Sequence, residues 1–339
     1  MEELLRERER ESKRRLGHIY QRIISRENLL ISYQEFLRGK RKRKDVAEFS
    51  VHLMDNIFAL HQDLFQKTYR HGSYHSFKIN DPKPRHIHKA GVRDRFLHHA
   101  IYRILYPYFD RKFIFDSYSC RVDKGTHKAI NCFRDFARKV SENNTKTAWI
   151  LKCDIKIFFA SIDHQRLKNI LERYIQDSNV IWLLEQVIDS FHTGKKAGIG
   201  LPLGNLTSQL LVNIYMNEFD QFLKRTLKIK YCIRYADDFV IFHKNKLYLA
   251  NLIPQISEYL KQELKLSLNP GKLFIKTLAS GVDFLGWVNF PNHRVLRTST
   301  KQRMLKKLKQ NQTSETRNSY LGLLKHGNTH KLIKEKLAI

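Results

Sequence analysis

Apolar residues recur along this chain with two periods. Val46, Phe49, Leu53, Ile57, Leu60 and Leu64 share one face at helical spacing, which predicts a helix over 46–68. The same spacing returns over 92–113, 165–175, 206–225 and 246–264, with Asp163 placed to cap the second of these. An amphipathic stretch runs through Ile19, Ile23, Leu29 and Phe36, behind a charge-dense helix expected over 1–16. Short β-branched and aromatic runs predict strands ending at Asp154, on both sides of Ala236-Asp237, and across Val282–Phe290. Phe77–Ile87 reads as a hairpin turned by Pro82 and Pro84, Phe115–Lys128 as loop, and Asn269-Pro270-Gly271 as a turn. Gly194, Gly198, Gly200 and Gly204 gather around Pro202 before the helix at 206.

Charge changes the picture. The 339 residues carry 62 Lys and Arg against 33 Asp and Glu, a formal net charge of +29, which points to a polyanionic partner. Basic residues concentrate at Arg38–Lys44 and from Pro291 onward, where a small helical subdomain is expected. Cys120, Cys132, Cys153 and Cys232 form no CxxC pair, so neither a zinc knuckle nor a disulfide framework is expected, and the reading is cytoplasmic. No apolar run approaches the roughly 18 residues that span a bilayer, and the N-terminus is too charged for a signal peptide; no membrane partner is expected. His86, His88, His98 and His99 read as an RNA-facing surface or as core histidines.

Three carboxylates carry the chemistry. Asp237 and Asp238 sit side by side at a predicted hairpin tip, and Asp154 ends an apolar strand. Adjacent carboxylates repel unless a cation lies beside them, and hard divalent cations prefer carboxylate oxygen. Alone, an Asp pair at a turn is ordinary turn chemistry. With Asp154, the basic charge and the glycine loop, the pattern fits two-metal phosphoryl transfer and a nucleotide polymerase. Asp154 and Asp237 would bridge the ions, and Asp238 would act partly from behind them. Lys78, Lys83, Arg85, Arg121 and Lys124 are candidate clamps for a triphosphate, or singly just exposed charges. Phe159 would pack against the sugar of an incoming nucleotide or serve as a core aromatic. The loop Leu201–Gln209 would let backbone approach a base pair, or simply cap a helix.

On these residues the chain resembles reverse transcriptases, with motifs in order over most of 50–300. Val92-Arg93-Asp94-Arg95 with His98-His99, and Ser119-Cys120-Arg121 through Lys124–Ala129, resemble two fingers motifs. Asp154 with Phe158-Phe159 resembles the first palm motif, and Tyr235-Ala236-Asp237-Asp238 the catalytic box. Asn269-Pro270-Gly271-Lys272 resembles the lysine-bearing motif, and Phe284-Leu285-Gly286-Trp287 the primer grip. The resemblance implies an α+β right-hand polymerase fold with fingers, a palm built on an antiparallel sheet, and a short helical thumb. It divides the chain into an N-terminal basic extension (1–49), fingers (50–150), palm (151–290) and thumb (291–339). It implies two Mg²⁺ ions, replaceable by Mn²⁺, on Asp154, Ile155, Asp237 and Asp238. Lys83, Arg85, Arg121, Lys124, Phe159, Leu203, Gly204, Gln209 and Lys272 would contact the nucleotide, with Phe159 as steric gate. Partners would be template RNA, primer or cDNA, and dNTPs.

The loop Pro202-Leu203-Gly204-Asn205-Leu206-Thr207-Ser208-Gln209 departs from the Pro-Gln-Gly…Ser-Pro signature of intron-type enzymes. That variant resembles reverse transcriptases of diversity-generating retroelements, which implies adenine-directed errors and an oligomeric basic accessory protein. Other bacterial reverse transcriptases (intron, retron, abortive-infection or CRISPR-associated) and a non-catalytic RNA-binding protein on a polymerase fold are the competing readings.

Overall fold

A computed structural model describes residues 16–80, 84–194, 197–311 and 313–336. The helix expected over 1–16 and the call on Lys83 therefore lie outside the described residues, apart from Leu16. Helices and antiparallel strands combine into an α+β architecture of two compact units, interleaved in sequence. The first takes the described residues up to Phe115, with Lys156–Phe222 and Leu260–Leu266; the second takes Asp116–Ile155, Leu223–Tyr259 and the described residues from Ser267.

The first unit is mainly helical. Tyr20–Ile24 and Arg26–Phe36 bury Ile23, Leu29, Tyr33 and Phe36, and the long helix Val92–Asp110 packs on them through Phe96, Leu97 and Ala100. The single helix expected over 46–68 is two, Lys44–Val51 and Leu53–Phe65. His52 leaves the helical basin (φ −110°, ψ 41°), and the Asn56 side-chain amide donates to the Phe49 carbonyl across the break. The apolar period is continuous through this point, so periodicity alone does not mark it. The hairpin is present: β1 (Tyr74–Ile79) pairs antiparallel with β2 (Arg85–Ala90), setting Lys78 opposite His86. Asp163 caps the helix His164–Tyr174 as expected, its carboxylate accepting from Arg166 N at 2.9 Å.

The second unit is built on a four-stranded antiparallel sheet in the order β4-β5-β3-β6, where β3 is Trp149–Asp154, β4 Cys232–Tyr235, β5 Asp238–His243 and β6 Phe274–Thr277. The helix Thr126–Val140, which begins inside the stretch expected to be loop, lays Phe133 and Ala137 on this sheet; the Phe133 and Phe242 rings meet edge-on at 4.8 Å. Val282–Phe290 does form a strand pair, β7 (Val282–Phe284) with β8 (Trp287–Asn289). The described part of the basic tail falls in the second unit. Its first segment is a strand, β9 (Arg294–Leu296), paired with β8, and its helices Thr298–Gln310 and Ser314–Leu324 bury Met304 and Leu324 in the cluster that holds Trp287 and Phe284. Its charges dominate its composition, but a few apolar positions decide where it packs.

Candidate active site

The register places Asp154, the last residue of β3, directly opposite Asp238, the first residue of β5. Tyr235 pairs with Asp238 in turn, so Ala236 and Asp237 form a two-residue hairpin loop, with Ala236 in the left-handed region at φ 55°. Arg234, only 2 % exposed, braces that loop by donating from Nη1 to the Ala236 carbonyl at 3.2 Å. Ile155 N–H donates to the Asp237 carbonyl at 3.1 Å, tying the end of β3 to the loop. Backbone pairing thus assembles the three carboxylates that the sequence singled out.

Two lysines share the site. Lys272 Nζ lies 2.7 Å from Asp154 Oδ2, and the Asn269 side-chain amide donates to Asp154 Oδ1 at 3.4 Å. Lys152 Nζ lies 3.4 Å from Asp238 Oδ2, and its side chain is 9 % exposed. The sequence reading missed Lys152, although strand alternation already puts it on the face of Asp154, two residues on. Asp238 Oδ1 is buried with no hydrogen-bond partner among the described residues. Burial pushes the Asp238 carboxyl up to about 6; Lys152 opposes this, while Asp154 and Asp237 add to it.

These features suit a divalent cation. The donors are hard oxygens, one of them is buried and unspent, and burial followed by the neighbouring Asp154 and Asp237 disfavours the Asp238 carboxylate until a positive charge joins it. Among the described residues the side chains are not already drawn into a group of three or more ligands. Asp154 is turned instead to Lys272, so a cation must compete with that ammonium.

The other predicted residues sort by unit. In the second unit, Arg121 donates to Ser117 O and Oγ at 3.1 and 2.8 Å, and Lys124 Nζ lies 5.0 Å from the centre of the Tyr118 ring. Phe284 and Trp287 are buried register partners, and Leu285-Gly286 turn between them with φ 50° and 87°, a type I′ hairpin.

In the first unit, Phe159 follows the buried Phe158 in a 3₁₀ turn and is itself half-buried; its carbonyl accepts from Leu201 N at 2.8 Å. Leu203 O accepts from His88 N at 3.0 Å, and the buried Asn205 side chain donates to His88 O at 2.8 Å and accepts from Ala90 N at 3.3 Å. Asn205 thereby stitches the glycine loop to β2, a role its sequence position did not disclose. Gly204 has φ 106°, and a Cβ there would stand 2.9 Å from Ile87 Cγ2. Gln209 lies in the first turn of the helix Leu206–Gln221, half-buried, and Arg85 is exposed at the start of β2. His98 is a core histidine, 1 % exposed, stacked on His71.

Residues 61–289 match the family described as reverse transcriptase (RNA-dependent DNA polymerase). The chain belongs to that family. The matched span contains all three aspartates and the Phe284–Trp287 hairpin. Among curated relatives, the chain is 28 % identical over 243 residues to protein YkfC of Escherichia coli (strain K12), covering 61 % of each. It is 27 % identical over 159 residues to the group II intron-encoded protein LtrA of Lactococcus lactis subsp. cremoris, covering 45 % of this chain and 25 % of LtrA. A putative COX1/OXI3 intron 1 protein of Saccharomyces cerevisiae is 30 % identical over 155 residues, or 43 % of this chain and 18 % of that protein. The chain thus spans about three fifths of YkfC and a quarter or less of the two intron proteins.

Proposed function

We propose that this chain is an RNA-directed DNA polymerase that extends a primer along template RNA from dNTPs. The observation that carries the reading is the Asp154–Asp238 register pair beside Asp237, with a buried carboxylate oxygen left unpaired. Asp154, Asp237 and Asp238, with the Ile155 carbonyl, would hold two Mg²⁺ ions, for which Mn²⁺ would substitute. Bound there, the ions would stabilise charge on the attacking and leaving oxygens of phosphoryl transfer. The protein's own part is placement. The strand pairing fixes where the carboxylates stand, Arg234 and Ile155 N–H hold the hairpin loop, and Lys152 keeps Asp238 in position. Phe159 is proposed to exclude a 2′-hydroxyl, and Arg85, Arg121, Lys124 and Lys272, with Lys83, to contact the triphosphate. Leu203, Gly204 and Gln209 are proposed to face the nascent base pair. Fingers, palm and thumb remain the functional partition proposed for residues 50–150, 151–290 and 291–339, in the cytoplasm.

Primer extension on an RNA template with Mg²⁺ tests this. Product with the wild type and none with Asp237→Asn/Asp238→Asn is expected. Equal product from both would overturn the assignment of the site.

Two subtypes are supported by different observations. Leu203 in the Pro202–Asn205 loop supports a diversity-generating retroelement enzyme working with a basic accessory protein. The intron-encoded relatives favour an intron-type enzyme instead. Sequencing the cDNA separates them: errors concentrated opposite template adenines are expected of the first, and accurate copying of the second. A Leu203→Gln variant with an unchanged adenine error frequency would remove that loop as the cause.

A further inference from the structure

The second unit contains a cavity of about 260 Å³ that the catalytic reading does not use. Its floor is apolar, formed by Phe133, Ala137 and Leu278, and its rim carries Arg134, Arg138, His293, Arg294, Lys325 and His326 with no acidic side chain. Burial and then Arg134 hold the Arg294 guanidinium below its ordinary range, and burial followed by His127 and Arg294 does the same for His326. Arg294 is spent inward, donating to Ile130 O and Asn131 Oδ1 at 3.0 and 2.8 Å. Arg138 and Lys325 are exposed and have no acidic partner within 4 Å among the described residues. Among the described residues Arg134 pairs with its sequence neighbour Asp135, at 3.4 Å. At the lip, the Phe290 and His293 rings stack at 4.7 Å with planes 12° apart, offering an aromatic face beside the cations.

The cavity is separate from the carboxylate site. Leu278 N donates to Ala148 O, at the end of β3 opposite Asp154, so strand rise alone sets the two roughly 20 Å apart. The Phe290–His293 turn also lies at the end of its own sheet opposite the Leu285–Gly286 turn.

We propose that this cavity holds one nucleotide of a single-stranded RNA. The base lies against Phe290 and His293, and the flanking phosphates lie on Arg138, Lys325 and Arg134. An apolar, aromatic-walled pocket with a one-sided cationic rim is the pairing of stacking and phosphate contact that single strands require. The assignment does not depend on the polymerase reading.

The test is binding of a 5′-fluorescein 12-nucleotide RNA to the full chain in EDTA by anisotropy, over a range of salt. Arg138→Glu/Lys325→Glu is expected to weaken binding about tenfold and to flatten the log–log salt slope by about 1–2. A matched reversal at the exposed Lys67 and Lys261 is expected to change affinity less than threefold, and His293→Ala to weaken RNA binding without flattening the slope. A 4-thiouridine-substituted RNA is expected to crosslink to the peptide containing Phe290–His293. Equal losses from both double reversals, or no crosslink in that peptide, would overturn the site. Competition by millimolar AMP as effective as by RNA would overturn the strand in favour of a free nucleotide.

Discussion

Lys152 Nζ stands 3.4 Å from Asp238 Oδ2, a buried ammonium on β3 held against a carboxylate on β5. Removing the lysine would leave Asp238, with its buried Oδ1, beside Asp154 and Asp237 without the ammonium that now faces it. Lys152→Met is expected to cost about 3 kcal/mol in EDTA, the scale for breaking a buried pair. Mg²⁺ should then raise the Tm of the variant more than that of the wild type, and Lys152→Arg should behave like the wild type. Thermal denaturation with and without Mg²⁺ checks all three.

Lys272 holds Asp154 at 2.7 Å and competes with any ion for that oxygen. Lys272→Ala is expected to lower the Mn²⁺ concentration at half-saturation by several-fold, with the paramagnetic broadening of water protons as the readout. An unchanged midpoint would show that the ammonium yields without cost.

Gly204 combines a left-handed backbone with contact on Ile87. Gly204→Ala is expected to destabilise by about 1–3 kcal/mol, because the strain and the clash act together. Urea denaturation measures it. Gly286→Ala, with φ 87° but its nearest neighbour at 3.5 Å, should cost less.

Burial holds His98 well below its ordinary range, with His71 adding to the effect; burial and then Lys40 hold His99 at about 4. Unfolded histidines take a proton near pH 6.5, whereas these stay neutral while folded. Their contribution to stability is therefore full above pH 6.5 and is lost as pH falls toward 4 and below, by on the order of 2 kcal/mol for His99. Comparing Tm at pH 7 and pH 5 should show this fall, and His99→Gln should reduce it.

Strands with one strong signal were legible in the sequence. The apolar run ending at Asp154 and the paired runs around Ala236-Asp237 became β3, β4 and β5, because a short β-branched segment beside a tight turn has few other solutions. The helix expected over 246–264 is Lys246–Leu264. The break at His52 was not legible, because one apolar period runs through both helices. Nor was β9, whose Val295 and Leu296 lie among charges too dense for alternation to show. Asp237 and Asp238 announced themselves by adjacency. Lys152 and Asn205 did not, because their partners are set by strand register and loop closure, which only the folded chain supplies.

The sheet that carries the aspartates has a schedule built into it. Trp149 pairs with His243 on one side and Thr277 on the other, so β3 leaves the ribosome long before either neighbour. At roughly 5–20 residues per second, an apolar strand with two open edges waits for on the order of 10 s. The first carboxylate of the centre is therefore made early and seated late, after both strands that flank it have been synthesised.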